Sequence, residues 1–513
     1  MSDTHVDFNR LIAEHARRQP DRVAIESPDQ GSRITYGELN RVTAQLAHFL
    51  ADRGVRAGDR VSLLADNSLE ALLVFWSVLR SGAVINPINV EIREKNIRQI
   101  LHDVRPKLVL WSRDLPDDLR SLGEGAEAPW ITFGDRHATS RQPDDLWALL
   151  PALPETPLAR SPAPTDLAVI DYTSGTTDTP KGVVWTHAQY HAMSESSIDR
   201  LEITAADTIL DYRHFSWSSP QILSIGPSMQ TGATLVFARK FSQARFFDWI
   251  RTHGVTIAVG IPTVINMLLN RPVPIRKADL PGLRFMTSST APLSVEKHLE
   301  FERQYGITIV QLAGGTETGF MCGNAPGQRK LGSIGRPTLN MIVRILDDAG
   351  HECPVGEEGE MVVSGKQLAV GYLVGPDTIT PIPPEGHRTG DMARRDAEGY
   401  VTITGRKKDI IIKGGVNIAA LEITNALLQH PAVGEAATIG VPDAIYGEVA
   451  AGFVVPRAGR ALTEAEVLAH CRASLAEFKV PAAIVILEAI PKNANGKVAK
   501  EELRPLWDTR PER

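Results

Sequence analysis

Short apolar segments that alternate with helical segments restrict the fold of this chain more than any other feature. Two apolar strands are predicted at residues 61–64 and 108–110, and a helix predicted at residues 70–80 lies between them. Strands joined through helices lie parallel in a covered sheet. The alternation resumes later, with strands predicted at residues 167–170, 234–237, 256–259 and 284–286. The sequence therefore predicts an α/β fold with parallel sheets.

Two regions of the first part of the chain depart from this alternation. Residues 6–55 are predicted to be helical and amphipathic, with one interruption by a turn at residues 29–31. Residues 151–164 are rich in Pro and Ala and are predicted to form a surface linker between structured segments.

The residue pattern changes near residue 342, where closely spaced strand patterns and turns rich in Gly, Asp and Pro predict a β-rich region. A basic stretch at residues 406–408 is followed by a compact α/β pattern. We therefore predict a domain boundary there, which divides the chain into residues 1–405 and 406–513. The second part has an ordinary size for a domain.

Composition excludes several classes of function. The chain has 513 residues and a formal net charge of −6, so it lacks the basic excess expected of a nucleic-acid-binding protein. Its apolar runs are too short to span a membrane. Its three cysteines, Cys322, Cys353 and Cys471, lack the spacing of a zinc site. A polar start and sparse, unpaired thiols predict a soluble cytoplasmic protein without nucleic-acid or membrane partners.

The segment from Tyr172 to Gly182 is the most informative motif. It reads Tyr-Thr-Ser-Gly-Thr-Thr-Asp-Thr-Pro-Lys-Gly. Hydroxyl and backbone N–H groups in such a turn can surround polyphosphate oxygens, and Lys181 adds a positive charge. The spacing differs from the Walker P-loop, which requires Gly-Lys followed by Ser or Thr. Because residues 183–185 are predicted as a strand, we predict a strand–loop–strand phosphate site. The alternative is an ordinary polar surface loop.

This motif resembles the signature loop of the adenylate-forming superfamily, which includes acyl- and aryl-CoA ligases, adenylation domains of peptide synthetases, and luciferases. The resemblance extends over nearly the whole chain, from residues 34–39 to residues 495–497. It implies a large N-terminal domain of α/β sheets with a small β-barrel, followed by a smaller, mobile α+β C-terminal domain.

The resemblance also implies the residues of a nucleotide site. Lys497, Thr316 and Glu317 are the implied catalytic residues, and Glu317 and Thr176 are the implied ligands of Mg²⁺. Asp391 is expected to accept hydrogen bonds from the ribose hydroxyls. The full set implied to bind ATP or AMP is Thr173, Ser174, Gly175, Thr176, Thr177, Lys181, Ser288, Thr290, Ala291, Pro292, Ala313, Gly314, Asp391 and Arg406.

Two further sites and a hinge follow from the same resemblance. Lys408 is the implied hinge about which the C-terminal domain rotates. Core packing is the alternative role for His214, Trp217, Tyr446 and Phe478. The implied acyl pocket consists of His214, Trp217, Ile261, Ser289 and Gly315. The implied coenzyme A site consists of Gly414, Gly415, Tyr446 and Phe478.

Four residues depart from the family pattern. Asp178 replaces a glycine in the phosphate loop, and Ala313 replaces the tyrosine that stacks on adenine, which predicts weak ATP binding. Ser289 and Thr290 replace two glycines, so the acyl pocket is expected to be narrower and to contain extra hydrogen-bond donors. These changes favour a compact or oxygenated acid over a long linear chain.

The sequence therefore predicts an ATP-dependent carboxylate–CoA ligase that acts in two steps. The acid first forms an acyl-adenylate and pyrophosphate, and coenzyme A then gives acyl-CoA and AMP. The predicted partners are a small carboxylate, ATP, coenzyme A and Mg²⁺, while the oligomeric state, a homodimer included, is left open. The alternatives are a stand-alone adenylation enzyme that loads a carrier protein or an amine, and a non-catalytic nucleotide-binding relative.

Overall fold

The computed structural model of the chain describes residues 7–116, 119, 121–123, 127–138, 145–173, 180–383, 385–492 and 497–510. Within these ranges the strands form four sheets of eight, nine, four and five strands. The first three sheets belong to the part of the chain up to Arg406, and the fourth lies beyond it. The predicted α/β class with a large first region and a smaller last region is confirmed.

The eight-stranded sheet has a parallel centre and an antiparallel edge. Its strands pair in the order β19-β18-β8-β7-β4-β3-β5-β6. The antiparallel β7–β8 pair confirms the predicted strand–loop–strand arrangement. The strands are β3 (Arg60–Leu64), β4 (Val84–Ile88), β5 (Leu108–Ser112), β6 (Trp130–Phe133), β7 (Leu167–Thr173), β8 (Lys181–Thr186), β18 (Gly371–Leu373) and β19 (Ile379–Pro381).

The nine-stranded sheet pairs in the order β15-β14-β13-β12-β11-β9-β10-β1-β2. Strands β1, β9, β10, β11, β12 and β13 are parallel to their neighbours within this run. The strands are β1 (Val23–Ser27), β2 (Ser32–Thr35), β9 (Thr208–Asp211), β10 (Thr234–Phe237), β11 (Ile257–Ala258), β12 (Phe285–Ser288), β13 (Ile309–Gly315), β14 (Gly319–Gly323) and β15 (Arg336–Pro337).

The prediction that residues 6–55 are helical was wrong for residues 23–27 and 32–35, which form the antiparallel pair β1 and β2, while the turn predicted at residues 29–31 is confirmed between these strands. Strand β1 also pairs with β10, which lies more than two hundred residues further along the chain. Pairing with such a distant strand gives no signal in the local periodicity of the sequence, so the pattern of residues 23–35 alone does not predict these strands. The next helix begins at Tyr36, and the side chains of the preceding Thr35 and of Glu38 form a capping box at its N-terminus.

Helices cover the two large sheets. The helix predicted at residues 70–80 is confirmed, and it is buried over Leu69–Arg80, which places it in the main core. Ser68 caps its first turn, and Gly82 ends it in the left-handed conformation. The helices of the first region are α1 (Phe8–Arg18), α2 (Tyr36–Asp52), α3 (Leu69–Ser81), α4 (Glu94–Val104), α5 (Leu146–Leu149), α6 (His187–Leu201), α7 (Ser218–Pro220), α8 (Gly226–Thr231), α9 (Phe246–Thr252), α10 (Pro262–Asn270) and α11 (Val295–Tyr305).

The β-rich region predicted from residue 342 forms an antiparallel four-stranded sheet, in the place where the resemblance implies a small barrel. It consists of β16 (Met341–Leu346), β17 (Glu358–Gly365), β20 (His387–Arg395) and β21 (Val401–Arg406). Most of the predicted linker at residues 151–164 is irregular and much of it is exposed, as expected.

The last region folds around its own sheet and core. Its strands pair in the order β23-β22-β25-β24, and β26 adds to β25. The predicted division at residues 405 and 406 stays a prediction, although the new sheet does begin just beyond it. The elements are β22 (Ile410–Lys413), β23 (Val416–Ala419), α12 (Ala420–Gln429), β24 (Val433–Asp443), β25 (Gly447–Pro456), α13 (Glu464–Ser474), β26 (Ala483–Ile486) and α14 (Lys500–Asp508).

A search of the described helices finds none whose length and hydrophobicity would let it cross a bilayer.

Candidate active site

The predicted site residues collect where several parallel strands of the nine-stranded sheet end. Asp211 ends β9, Ser288 ends β12 and Gly315 ends β13, while Ile261 follows β11 closely. In open α/β sheets ligands bind outside the carboxyl ends of the strands. The topology therefore brings to one edge the predicted acyl and nucleotide residues from four separate parts of the sequence.

The flanks of the phosphate loop lie side by side. Thr173, the last residue of β7, pairs with Lys181, the first residue of β8. Gly182 packs against Tyr172, because a Cβ at this position would lie 2.9 Å from the tyrosine ring. The predicted phosphate-binding residues Ser174, Gly175, Thr176 and Thr177, and the variant residue Asp178, lie outside the described residues.

Glu317 is positioned by a tyrosine that the sequence analysis missed. The Tyr372 hydroxyl donates to Glu317 Oε1 at 3.3 Å, and Lys181 Nζ lies 5.7 Å from the centre of the Tyr372 ring. Burial, followed by the charge of Glu317, raises the pKa of Tyr372, so the hydroxyl keeps its proton. Tyr372 thus links the predicted metal ligand to the lysine of the phosphate loop. Its pairing with Val183 across β18 and β8 is long-range, and no local signal marks it.

The donor set around Glu317 fits a magnesium ion that is bound together with ATP. The carboxylate of Glu317 is partly exposed, and its neighbour Thr316 exchanges a hydrogen bond with the Ser218 hydroxyl at 3.1 Å. Among the described residues there is no group of three or more His, Cys, Asp or Glu side chains that would form a protein cage. One carboxylate plus phosphate oxygens and waters is the coordination that Mg²⁺ commonly takes. Thr176, the other predicted ligand, lies outside the described residues.

The predicted adenine wall carries backbone strain. Thr290 has φ +72°, a left-handed conformation that β-branched residues rarely adopt. Its Oγ1 donates to the carbonyl oxygen of Ser289 at 2.5 Å. Ser288 is fully buried, Ala291 is partly exposed, and Pro292 is exposed.

The opposite wall of the predicted adenine site is built from small residues. Ala313 pairs with Cys322 across β13 and β14 and packs against the core below the four-stranded sheet. A glycine is needed at position 314, because a Cβ there would lie 2.5 Å from the Gly319 carbonyl oxygen. Strand packing thus requires a glycine at position 314, and the predicted roles of Gly314 in nucleotide binding and of Gly315 in the acyl pocket stay predictions.

The predicted ribose and catalytic residues meet between the two regions of the chain. Arg406 Nε lies 2.7 Å from Asp391 Oδ1. Lys497 has an exposed side chain and lies within electrostatic range of Asp391 and Glu317. Desolvation by the surrounding protein, followed by the charge of Arg406, lowers the pKa of Lys497, while the two carboxylates oppose this effect.

The electrostatics of Asp391 and His387 also reflect burial. Burial raises the pKa of Asp391, and the charges of Arg406 and Lys497 act against it. Burial likewise lowers the pKa of His387, which senses both Glu317 and Asp391. Sequence reasoning gave His387 no role, and the structure brings it within electrostatic range of the predicted metal ligand Glu317 and the predicted ribose-binding residue Asp391.

His214 is a packed histidine with both ring nitrogens engaged. Nε2 lies 3.0 Å from the Ala65 carbonyl oxygen and Nδ1 lies 2.7 Å from the Ser216 hydroxyl. Since a carbonyl can only accept, Nε2 carries the proton. Burial lowers the pKa of His214 to about 4, so the ring is neutral at pH 7. The core-packing alternative therefore describes His214 well, while Trp217 is only partly buried.

Ile261 and Ser289 lie together, as predicted. The backbone N–H of Ser289 donates to the carbonyl oxygen of Gly260, next to Ile261, at 3.3 Å. Arg213, to which sequence reasoning gave no role, donates from Nη1 to the Ser289 hydroxyl at 3.4 Å. The extra hydroxyl predicted to narrow the acyl pocket is thus held by a buried arginine.

The four residues predicted to bind coenzyme A form one surface cluster on the last region. Gly414 and Gly415 have φ of +56° and +85° in the turn between β22 and β23, and Gly414 N donates to the Tyr446 carbonyl oxygen at 2.8 Å. Lys413 Nζ lies 5.6 Å from the centre of the Tyr446 ring and donates to the Phe478 carbonyl oxygen at 3.1 Å. Tyr446 is 50% exposed and Phe478 45%, which excludes the core alternative for both.

The predicted hinge lies in the short connection between the two regions. Lys408 is exposed in a 3₁₀ turn, Lys407–Asp409, that follows β21 directly. The next residue, Asp409, is paired with Lys500 Nζ of α14 at 2.6 Å. This position suits a hinge, and its role stays a prediction.

Two family models match the chain. The model described as AMP-binding enzyme matches residues 12–373, and the model described as AMP-binding enzyme C-terminal domain matches residues 422–497. The chain belongs to the AMP-binding enzyme family. Both matches agree with the resemblance to adenylate-forming enzymes, and this prediction is confirmed.

Curated relatives align with this chain over almost its whole length. A sulfoacetate–CoA ligase from Cupriavidus necator is 35% identical over 509 residues, 96% of each chain. An indoleacetate–CoA ligase from Aromatoleum aromaticum is 32% identical over 517 residues, 98% of each chain. The crystal structure of ATP-bound MatB from Rhodopseudomonas palustris has a TM-score of 0.89 at 28% identity, and the match covers 98% of this chain and 99% of that one.

These comparisons confirm that the family member is an AMP-forming acid–CoA ligase with a small organic acid, ATP and coenzyme A as substrates. The relatives named above differ in the acid they use, and so the comparisons leave the acid of this enzyme open. The roles of the individual site residues also stay predictions.

Proposed function

We propose that this ligase works in two steps on a compact, oxygenated carboxylic acid. In the first step the carboxylate attacks the α-phosphorus of ATP, and pyrophosphate leaves. In the second step the thiol of coenzyme A attacks the acyl carbon of the acyl-adenylate, and AMP leaves. The observation that carries this proposal is the contact of Arg406 with Asp391 at the junction of the two regions, together with the charge interactions of Lys497 with Asp391 and Glu317.

Lys497 has the central role in the first step. Attack on the α-phosphate gathers negative charge on its oxygens, and an ammonium held close to them stabilises that charge. Asp391 is buried and offers two acceptor oxygens for the ribose hydroxyls, while Arg406 holds the carboxylate in place from the hinge side. Thr316 and Glu317 lie at the phosphates, where Mg²⁺ held by Glu317 would neutralise phosphate charge.

The second step needs the C-terminal region in another orientation. We propose that rotation about Lys408 withdraws Lys497 and brings Gly414 and Gly415 over the adenylate. The surface cluster of Tyr446, Phe478 and Lys413 supports this proposal, since exposed aromatic rings beside a cation suit a purine nucleotide with a 3′-phosphate.

A compact acid is supported by the filled and hydroxyl-rich wall of the acyl site. Ser289 and Thr290 stand where small glycines would leave space, and the His214 ring is packed into the core. The relative that acts on sulfoacetate supports a short substrate.

A panel of acids tests this function. Each acid is incubated with ATP, Mg²⁺ and enzyme, and exchange of labelled pyrophosphate into ATP reports the first step. Coenzyme A is then added, and acyl-CoA and AMP are measured. We expect exchange with short oxygenated acids, and acyl-CoA together with AMP once the thiol is present. Adenylate formation without thioester would favour the stand-alone adenylation enzyme, and failure with every acid would overturn the proposal.

A further inference from the structure

A buried arginine lies directly behind the acyl site. The side chains of Arg213 and Asp211 are 1% and 0% exposed, and they form a two-pronged pair in which Nε and Nη2 of Arg213 lie 3.0 and 2.6 Å from the Asp211 carboxylate. Asp211 also accepts hydrogen bonds from Ser224 Oγ at 2.6 Å and from the Tyr212 N–H at 2.8 Å. Within the guanidinium of Arg213, Asp211 therefore engages only Nε and Nη2.

The remaining nitrogen of Arg213 faces two serine hydroxyls. Nη1 donates to Ser219 Oγ at 2.9 Å and to Ser289 Oγ at 3.4 Å. A hydroxyl that accepts from a guanidinium directs its own proton away from it, and donation by an ionised group polarises that O–H further. Within the described part of the chain, neither serine proton has an acceptor. Arg213 thus orients the hydroxyl protons of Ser219 and Ser289 away from its guanidinium, so that each hydroxyl can donate to another group.

These hydroxyls lie at the acyl site. Ser219 follows Ser218, whose hydroxyl contacts Thr316 beside the expected phosphates, and Ser289 lies next to Ile261. Two more buried donors belong to the same segments, Trp217 Nε1 and Ser288 Oγ, and each lacks a partner among the described residues. A buried donor without an acceptor costs free energy, so this set of groups indicates a bound molecule that accepts hydrogen bonds.

We propose that the acid used by this enzyme carries a second oxyanion, a carboxylate or a sulfonate, at the end remote from the carboxylate that is activated. Ser219 and Ser289 donate to this oxyanion, and Arg213 is the positioning residue that orients them. A methyl group at the same place would leave the hydroxyls unpaired, and sites built to pair a polar group reject analogues that lack it. This inference rests on the proposed function and names the substrate class of the same site.

Matched acids of equal length test the inference. Malonate and sulfoacetate carry the second oxyanion, while butyrate ends in a methyl group at the corresponding place. We expect kcat/KM of the wild-type ligase to be at least about 100-fold higher for one of the oxyanion-ended acids than for butyrate. The difference between malonate and sulfoacetate then tells which of the two groups the site takes.

Variants of the two serines leave the buried ion pair intact. Ser289→Ala and Ser219→Ala should each lower kcat/KM for the preferred acid about 10- to 100-fold more than they lower kcat/KM for butyrate, and this larger loss should come mainly through KM. Equal losses for both classes of acid would overturn the inference. So would a wild-type enzyme that prefers butyrate.

Arg213 is tested with a conservative and a disruptive change. Arg213→Lys keeps a charge beside Asp211 and should retain part of the preference for the oxyanion-ended acid, whereas Arg213→Met should abolish it. The matched control is Arg284→Met, which breaks another arginine–aspartate pair, with Asp207, in which the two atoms lie 2.9 Å apart at the opposite end of β9. This control should leave the ratio between the acids unchanged, and the same change of ratio in both arginine variants would contradict the role of Arg213.

The two proposals can fail separately. If the wild-type enzyme forms acyl-CoA from no acid in a broad panel, the proposed function fails. If it forms acyl-CoA equally well from oxyanion-ended and methyl-ended acids, the function stands and the inference about the second oxyanion is wrong.

Discussion

Lys497 is the residue on which we propose that the first half-reaction depends most. Its ammonium lies within electrostatic range of two carboxylates and the Arg406 guanidinium, and desolvation lowers its pKa. A cation in that position favours the transition state for attack on phosphorus, where charge is larger than in the bound substrates. In the proposed second step the rotation about Lys408 withdraws this group, so Lys497 takes no part when the thiol attacks the acyl carbon.

The first prediction concerns Lys497→Ala. We expect adenylate formation to fall by a factor of about 100 to 1,000, the loss typical of removing one preorganised group at a developing charge. Thioester formation from supplied acyl-adenylate and coenzyme A should change by less than about 3-fold. Single-turnover measurements of each half-reaction check this, with Lys492→Ala as a control because Lys492 is paired with Glu435 in the last region. Equal loss in both half-reactions would contradict the role.

The second prediction concerns Asp171, a buried carboxyl in β7. Oδ1 accepts a hydrogen bond from Gln221 at 3.0 Å, Oδ2 has no partner within the described residues, and burial raises the pKa of Asp171 to about 8. The folded chain therefore holds this proton between about pH 4 and pH 8 while the unfolded chain releases it. Stability is favoured by this group at low pH and falls as pH rises through that window.

Asp171→Asn keeps the group neutral at every pH. We expect the variant to match the wild type near pH 5 and to exceed its free energy of unfolding by roughly 1–4 kcal/mol at pH 8. Urea unfolding of both proteins at several pH values measures the difference. A difference that does not change with pH would show that Asp171 ionises normally in the folded chain.

At the scale of elements, the helical segment after Ser219 contains a π-helical turn, Gln221–Ile225, between α7 and α8. Such turns are rare and often occur at functional sites. From this turn Gln221 reaches Asp171 in the eight-stranded sheet, and Ser224 reaches Asp211 in the nine-stranded sheet. The π-helical turn thus connects the two sheets and positions Ser218 and Ser219, which directly precede it.

The third prediction tests this turn through Gly226. A Cβ there would overlap the Ser194 hydroxyl and lie 2.8 Å from the Gln221 carbonyl oxygen, which accepts the hydrogen bond of the turn. Gly226→Ala should lower the free energy of unfolding by roughly 1–3 kcal/mol, as overpacking does. It should also weaken acid binding. Gly327→Ala is the control, because its Cβ would contact nothing within 4 Å, and similar effects of both changes would exclude the role of the turn.

Across the whole molecule, an ion pair far from the connection at residues 406–409 joins the last region to the first. Arg457, just beyond β25, lies 2.6 and 3.0 Å from the two carboxylate oxygens of Glu300 on α11, and Lys297 Nζ lies 3.4 Å from the same carboxylate. Burial opposes the ionised form of Glu300, but the hydrogen bonds of Arg457 and the charge of Lys297 outweigh it and lower the pKa of Glu300. The pair stabilises the orientation in which Lys497 faces Asp391 and Glu317.

The fourth prediction is that Glu300→Gln and Arg457→Gln favour the other orientation. A partly exposed pair is worth about 1 kcal/mol, a factor of about five in population. Adenylate formation should therefore slow by about 2- to 5-fold, thioester formation should not slow, and the double variant should lose no more than either single one. Lys330→Gln, which breaks exposed pairs with Asp396 and Glu398 inside the first region, is the control. Additive losses in the double variant would contradict a coupled pair.

Local signals were sufficient for elements whose residues carry their own pattern. Helix α3 has an apolar run, a capping Ser68 and a terminal Gly82, and its position was predicted closely. The hydroxyl-rich loop between two apolar strands likewise indicated the family correctly, while its role in binding phosphate stays a prediction. The hairpin β1–β2 was missed, because its strands depend on pairing with β10. Tyr372 and Arg213 were missed as site residues for the same reason, since their partners Glu317 and Ser289 lie far away in sequence.

The family and the α/β class could be predicted from the sequence, because ordered motifs and short-range periodicity are local properties of the chain. Which of the candidate site residues meet could be seen only in the folded chain. Burial, ion pairing and hydrogen-bond direction depend on partners brought together by the fold, such as Arg213 with Ser289 or Arg457 with Glu300. Whether a serine is a surface hydroxyl or a directed donor at a substrate is therefore a property of the folded molecule.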